Sequence, residues 1–105
     1  MREERQAPRV EERLAVELEI EGVRHAAASR NVSTGGMFVE TVQALRVGAR
    51  VRLHFVVPAQ RDAIAADAEV RWTEPSGVGV RFLGMRARDV WAIGKLLNPS
   101  GPITR

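Results

Sequence analysis

Apolar and polar residues alternate with a period of two along most of this chain, which is the pattern of half-buried β-strands. Six such segments are predicted, at residues 14–20, 23–30, 37–40, 51–57, 66–72 and 78–82. The pair Glu21-Gly22 predicts a hairpin turn, and Pro58 ends the fourth segment. Six short strands joined by compact turns favour an all-β, closed or nearly closed six-stranded antiparallel barrel, because closure hides unpaired strand edges. The aromatic residues predicted to point inward are Phe38, Phe55, Trp72 and Phe82.

The hydrophobic period changes after Gly84, where the pattern predicts one C-terminal α-helix of about three turns, ending at Asn98-Pro99. Its apolar stripe consists of Val90, Ile93, Leu96 and Leu97, and Trp91 beside it is expected to cover part of the barrel mouth or a neighbouring surface. Three regions are therefore predicted: an N-terminal segment at 1–13, the barrel and helix at 14–98, and a mobile tail at 99–105.

Length and composition restrict the class of protein. The 105 residues allow one small domain with one core, and the hydrophobic fraction of 45% and charged fraction of 28% are typical of a globular protein. No apolar run approaches the roughly 20 residues needed to span a membrane, and the charged start lacks the apolar stretch of a secretory signal. The absence of cysteine excludes disulfides and thiolate metal sites. We therefore expect a cytoplasmic protein without membrane insertion.

Arginine dominates the basic residues, since Lys95 is the only lysine among 16. The formal net charge is +3 and the sequence pI is about 10.9. Arginine is well suited to forked contacts with phosphate and guanine. A GC-rich genome, whose codons favour arginine, explains most of this composition equally well. Composition alone therefore does not establish a nucleotide partner.

The sequence shows no clear pattern of residues that indicates an enzyme active site. The histidines, His25 and His54, occupy solvent-facing positions on separate predicted strands, and Ser33 lacks both a nearby base and a nucleophile elbow. The carboxylates show no acid/base spacing, and no cluster of histidines and carboxylates predicts a metal site. We expect a protein that is not an enzyme and has no cofactor.

Two short motifs carry more information. Arg5 and Arg9 form an Arg-x-x-x-Arg pair, and after one hairpin's length of chain comes the polar turn Asn31–Gly36. Each has an ordinary structural interpretation, as solvated charges or as a connecting loop, and Arg9 and Arg13 repeat the same spacing. Adjacent glycines permit positive φ, and successive amides in such a turn can form an anion-binding concavity. The two motifs in this order favour a site for an anionic ligand with flat, hydrogen-bonding bases.

The chain resembles the PilZ domain family, which consists of small β-barrels that bind the bacterial second messenger cyclic diguanylate (cyclic di-GMP). Arg5 and Arg9 match the family's Arg-x-x-x-Arg signature, and Asn31, Ser33 and Gly36 match its Asp/Asn-x-Ser-x-x-Gly signature. Residues 77–82 are similar to the family's late Gly-x-Gly-Val-x-Phe strand, and the terminal helix also fits. The resemblance covers residues 3 to 98 and implies a PilZ-type barrel.

The resemblance also implies roles for the arginines. Arg5 and Arg9 would bind the O6/N7 edge of guanine, stack on the base or hold a phosphate, with Arg9 the more critical because it is nearer the barrel. Arg30 is a weaker candidate as a flanking residue, and Arg81 is expected to be a strand-surface residue.

For the turn, the resemblance implies that Asn31 hydrogen-bonds a guanine edge, where the family more often has aspartate. Ser33 would contact base or phosphate, while Gly36 would leave room for the ligand and hold the turn. Gly35 is a weaker candidate.

The function implied is that of a single-domain cyclic di-GMP receptor. Ligand binding would order the N-terminal segment and change the surface seen by a downstream partner protein. One alternative is a PilZ-type interaction module that binds no nucleotide. Another is a small-barrel nucleic-acid binder, which requires exposed aromatic residues for base stacking and is disfavoured by their predicted inward positions. Whether one ligand or an intercalated pair binds, and the oligomeric state, stay open.

Overall fold

The computed structural model describes residues 10–98, which form a closed six-stranded antiparallel β-barrel with one extra strand and a C-terminal helix. The elements are β1 (Val10–Glu11), β2 (Ala15–Ile20), β3 (Val23–Val32), β4 (Gly36–Glu40), β5 (Arg50–Phe55), β6 (Ile64–Glu74), β7 (Gly77–Gly84) and α1 (Ala87–Leu97). The strand order is β1-β3-β2-β5-β6-β7-β4, and pairing between β3 and β4 closes the barrel. The predicted fold class is confirmed, while Arg5, Arg9 and the predicted mobile tail at 99–105 lie outside the described residues.

The β2–β3 hairpin turns at the predicted position. Glu21 and Gly22 have φ values of 52° and 84°, and positive φ at both central residues is characteristic of the type I′ turn. β3 continues further than predicted, to Val32 instead of Arg30, with an irregularity in its pairing with β4 between Ser29 and Asn31. Asn31 therefore lies on a strand, where the sequence predicted a turn.

The barrel core takes alternate residues from each strand, including Leu18, Leu53 and Val80. Phe55 and Phe82 point inward as predicted, and their ring centroids lie 6.3 Å apart. The same prediction is wrong for Phe38 on β4 and Trp72 on β6, and the reason differs between the two strands.

Phe38 is 1% exposed but does not belong to the core cluster, which takes Met37 and Val39 on either side of it. Its ring therefore lies on the outer face of β4, and burial of both faces of this strand conceals the period of two. Trp72 is 38% exposed because the pairing of β6 with β7 shifts between Val70 and Trp72. Such a bulge reverses the alternation that the sequence pattern assumes.

Helix α1 matches the predicted length, and three of the four predicted stripe residues are confirmed: Ile93 is buried, and Leu96 and Leu97 pack against the core. The prediction is wrong for Val90, which is 38% exposed, while Asp89 and Ala92 are buried. Trp91, expected to cover the barrel mouth or a neighbouring surface, is 56% exposed.

Asp89 takes the buried position because it has partners there. Gln60 Nε2 donates a hydrogen bond to its carboxylate at 2.8 Å. The guanidinium nitrogens of Arg86 and Arg88 lie 3.4 and 3.6 Å away from its oxygens. A buried carboxylate of this kind is polar in a hydrophobicity pattern, so the pattern placed Val90 in the buried stripe and left Asp89 out of it.

Candidate functional site

The polar turn between β3 and β4 is held by Ser33. The Ser33 amide donates to the Gly36 carbonyl at 2.8 Å, and the Ser33 hydroxyl accepts the amides of Gly35 and Gly36 at 3.1 and 3.2 Å. These two amides are directed at the hydroxyl of a residue only 4% exposed, so they do not form the anion-binding concavity predicted for this turn. Neither glycine adopts the positive φ that adjacent glycines permit.

Gly36 is required by the approach of the neighbouring strand. A Cβ atom at Gly36 would lie closer than 3.0 Å to the carbonyl oxygen of Val80 on β7. Gly36 pairs with Arg81 there, so the missing side chain is what allows β4 and β7 to pair. A Cβ atom at Gly35 would have the Ser33 hydroxyl as its nearest neighbour, at 3.9 Å, which leaves ordinary space.

Strand β1 places the chain that follows the N-terminal motif beside the start of the turn motif. Val10 pairs with Val32 and Glu11 pairs with Asn31, in antiparallel register. Val10 follows Arg9 directly in the sequence, so the chain after the Arg-x-x-x-Arg pair runs beside the strand that carries Asn31. A strand of two residues is too short to show a period, so the sequence pattern does not predict β1.

Ser29 fixes the next part of the same segment. Its hydroxyl accepts the Leu14 amide at 2.8 Å and donates to the Glu12 carbonyl at 2.5 Å. The Ser29 amide also donates to the Leu14 carbonyl at 2.9 Å, and the residue is fully buried. The segment at 10–14 is therefore attached to β3 along its length.

Aromatic side chains line the outer face beside Asn31. The strand registers place Asn31, Phe38, Gly79 and Trp72 in one row across β3, β4, β7 and β6. The indole of Trp72 lies on Gly79, where a Cβ atom would overlap the ring, and its centroid is 6.3 Å from that of Phe38. Gly79 thus provides the flat surface that this tryptophan covers.

A charged cluster borders the same row. Arg30 lies with its guanidinium carbon 4.1 Å from the Phe38 ring centroid, and its NH2 group donates to the Ser76 hydroxyl at 2.6 Å. Glu40 contacts both Arg13, at 2.6 Å, and Arg30, at 3.4 Å. The hydrogen bond from Arg13, reinforced by the one from Arg30, holds the pKa of Glu40 below its usual value.

Sequence reasoning missed Arg13 and Glu40 as neighbours of the site. They are 27 residues apart in the chain, and no local pattern joins them. The one available signal is the repeated Arg-x-x-x-Arg spacing at Arg9 and Arg13, which does not point to a carboxylate partner.

Two other outward-facing arginines lie next to carboxylates. Arg81, expected to be a strand-surface residue, is exposed and lies 3.8 Å from Glu69, and Arg52 contacts Asp67 at 2.7 Å. His54 faces outward as predicted, its side chain is only 13% exposed, and Glu19 contacts it at 2.7 Å. Within residues 10–98, no three histidines and carboxylates are grouped as metal ligands, and no helix has the length and apolarity to cross a membrane.

Comparison with known families decides the assignment. The model of the PilZ domain matches residues 3–98. The chain belongs to the PilZ domain family. This is a family of cyclic di-GMP receptors, and its domains are typically binding modules without enzymatic activity.

Solved structures agree with the fold of a PilZ domain. The inhibitor of motility MotI/DgrA of Bacillus subtilis superposes with a TM-score of 0.74 at 23% identity, over 94% of this chain and 54% of that protein. The PilZ domain of CeSA from a cellulose-synthesizing bacterium gives a TM-score of 0.68 at 14% identity, over 86% and 94% of the two chains. This chain thus spans about half the length of MotI/DgrA. No curated protein gives a significant match.

Proposed function

We propose that this PilZ protein is a receptor for cyclic di-GMP. Its ligand-binding residues are Arg5, Arg9, Asn31, Ser33 and Gly36. The observation that supports this most strongly is the pairing of β1 with β3, in which the residue after Arg9 lies beside Val32 of the turn motif. Both family signatures are intact. In the described structure, the residues that follow the Arg-x-x-x-Arg signature pair with the part of β3 where the second signature begins.

The proposed contacts follow from the chemistry of the ligand. Two guanines and two phosphates present flat bases, acceptor edges and negative charge, all of which arginine binds well. Arg5 and Arg9 bind guanine edges and phosphate, and Asn31 hydrogen-bonds a guanine edge from its place on β3. Arg30, one residue before Asn31, is a supporting contact.

The turn contributes in a different way. The Ser33 hydroxyl is engaged with the amides of Gly35 and Gly36, so its main contribution to binding is to keep Asn31 and the start of β4 in place. A direct contact from Ser33 to the base or phosphate stays a prediction. Gly36 contributes by allowing β7 to approach, and Gly35 is the weaker candidate of the two.

The output of the receptor is a rearrangement of the segment at 1–9, read by a downstream protein in the cytoplasm. Binding of the two arginines to the ligand would order this segment over the outer face of the barrel. Motility is a candidate output, because MotI/DgrA is an inhibitor of motility with the same fold. A PilZ-type interaction module that binds no nucleotide is the alternative function.

Hydrogen exchange tests the proposed rearrangement. Saturating cyclic di-GMP is expected to slow amide exchange at residues 1–9 by about tenfold or more, because ordered amides exchange only through local opening. Exchange in the hairpin turn at Glu21 and Gly22, at the opposite end of β3 from the turn motif, serves as the internal reference and should not change. Unchanged exchange at 1–9 under saturation would refute the ordering mechanism.

A further inference from the structure

Arg13, Arg30 and Glu40 form a compact charged cluster outside the two family motifs. Glu40 Oε1 accepts a hydrogen bond from Arg13 NH1 at 2.6 Å, and Glu40 Oε2 accepts one from Arg30 Nε at 3.4 Å. The two oxygens of one carboxylate are therefore divided between two guanidiniums. An anion with several oxygens, such as a phosphodiester, is held by paired arginines in the same way.

The cluster lies immediately beside the proposed ligand site. Arg30 precedes Asn31 on β3, and Glu40 lies two residues after Phe38 on the outer face of β4. Because Phe38 pairs with Asn31, the cluster and the Asn31 side of the site occupy neighbouring positions on the same face.

The two arginines are anchored unequally. Arg30 also stacks on Phe38, donates to Ser76 at 2.6 Å and lies 3.6 Å from Glu74. Arg13 has a side chain that is 68% exposed, and among residues 10–98 its side-chain partner is Glu40. Removing the charge of Glu40 would thus release Arg13 while leaving Arg30 held by its other contacts.

We propose that Arg13 and Arg30 form an additional anion-binding position of the cyclic di-GMP site, and that Glu40 occupies this position in the free protein. A phosphodiester of the ligand replaces the Glu40 carboxylate between the two guanidiniums. Glu40 is therefore an internal competitor that lowers the affinity for the ligand. This inference rests on the proposed function.

The test is calorimetric titration with cyclic di-GMP of the wild type and of Glu40→Gln. The variant is expected to bind about two- to fivefold more tightly, the effect of one exposed ion pair. Glu17→Gln is the matched control, because Glu17 is an exposed carboxylate that contacts Arg24 at 2.9 Å and its replacement changes the net charge equally. Its affinity should equal that of the wild type.

A second pair of variants isolates Arg13. Arg13→Gln alone is expected to weaken binding, and in the Glu40→Gln background it should remove the gain in affinity, since the released guanidinium is then absent. Thermal unfolding checks that each variant is folded. Because Arg13 is largely exposed, Arg13→Gln tests the position even if Glu40→Gln does not fold.

The outcomes separate this inference from the function on which it rests. Absence of binding by a folded wild type overturns the receptor function, and the additional anion position with it. Binding by the wild type, with Glu40→Gln equal or weaker, overturns only the role of Glu40. An equal gain in Glu17→Gln also overturns it, because the effect is then one of overall charge.

Discussion

Replacing Gly36 by alanine is expected to destabilise the barrel by about 3 kcal/mol or more, the upper range for overpacking in a closed structure. The new methyl group would lie within 3.0 Å of the Val80 carbonyl oxygen and close to the Arg81 Cα atom. Both are backbone atoms of β7, so no side chain can move aside, and the β4–β7 pairing must open. The free energy of unfolding in urea measures this loss.

Gly35→Ala is the matched control for this substitution. It adds the same methyl group one residue earlier, where the nearest atom is the Ser33 hydroxyl at 3.9 Å. Its free energy of unfolding is expected to stay within about 1 kcal/mol of the wild type. Equal stability of the two variants would contradict the structural role assigned to Gly36.

Replacing Arg9 by alanine is expected to reduce the affinity for cyclic di-GMP by about 100-fold. The removed guanidinium would supply more than one charged hydrogen bond to guanine or phosphate, and each is worth roughly 1.5–3 kcal/mol. The stability of the barrel should change little, because Arg9 precedes the strands that form the core. Calorimetric titration of the variant against the wild type gives the affinity.

Arg24→Ala is the control for Arg9→Ala. It removes an exposed arginine with the same charge, located at the end of β3 that is distant from Asn31. We expect wild-type affinity for this variant. A similar loss in both variants would reduce the role of Arg9 to general electrostatics and contradict a specific contact.

The barrel was predictable because its strands alternate clearly and its turns carry recognisable residues. Val16 and Leu18 on β2, and Leu53 and Phe55 on β5, show a period of two that the core confirms. The hairpin at Glu21-Gly22 was predictable for the same reason. The pattern fails where the sheet departs from regular pairing, as at the shift before Trp72, or where both faces of a strand are buried, as at Phe38.

The exposed position of Trp72 removes one reason for disfavouring a nucleic-acid binder, because the inward position predicted for this residue is wrong. Some outer arginines of the barrel, however, lie next to carboxylates, as Arg52 does with Asp67 and Arg81 with Glu69. These carboxylates weaken the attraction of the two arginines for the phosphates of a nucleic acid.

The motifs could be found from residue types at fixed spacing, but the physical roles within the turn could not. Ser33 and Gly36 match the family signature, yet their roles in the fold depend on the amides that fold back onto the hydroxyl and on the approach of β7. Both are tertiary features. The link between Arg13 and Glu40 spans 27 residues and depends on barrel closure, so only the three-dimensional structure reveals it.

Calorimetric titration of the wild-type protein with cyclic di-GMP, with GTP as the control ligand, tests the receptor function most directly. We expect saturable binding of cyclic di-GMP with a Kd in the micromolar range or below, and no binding of GTP. The molar ratio then distinguishes a single ligand from an intercalated pair. No heat of binding from a folded protein would contradict the receptor function and favour the interaction module that binds no nucleotide.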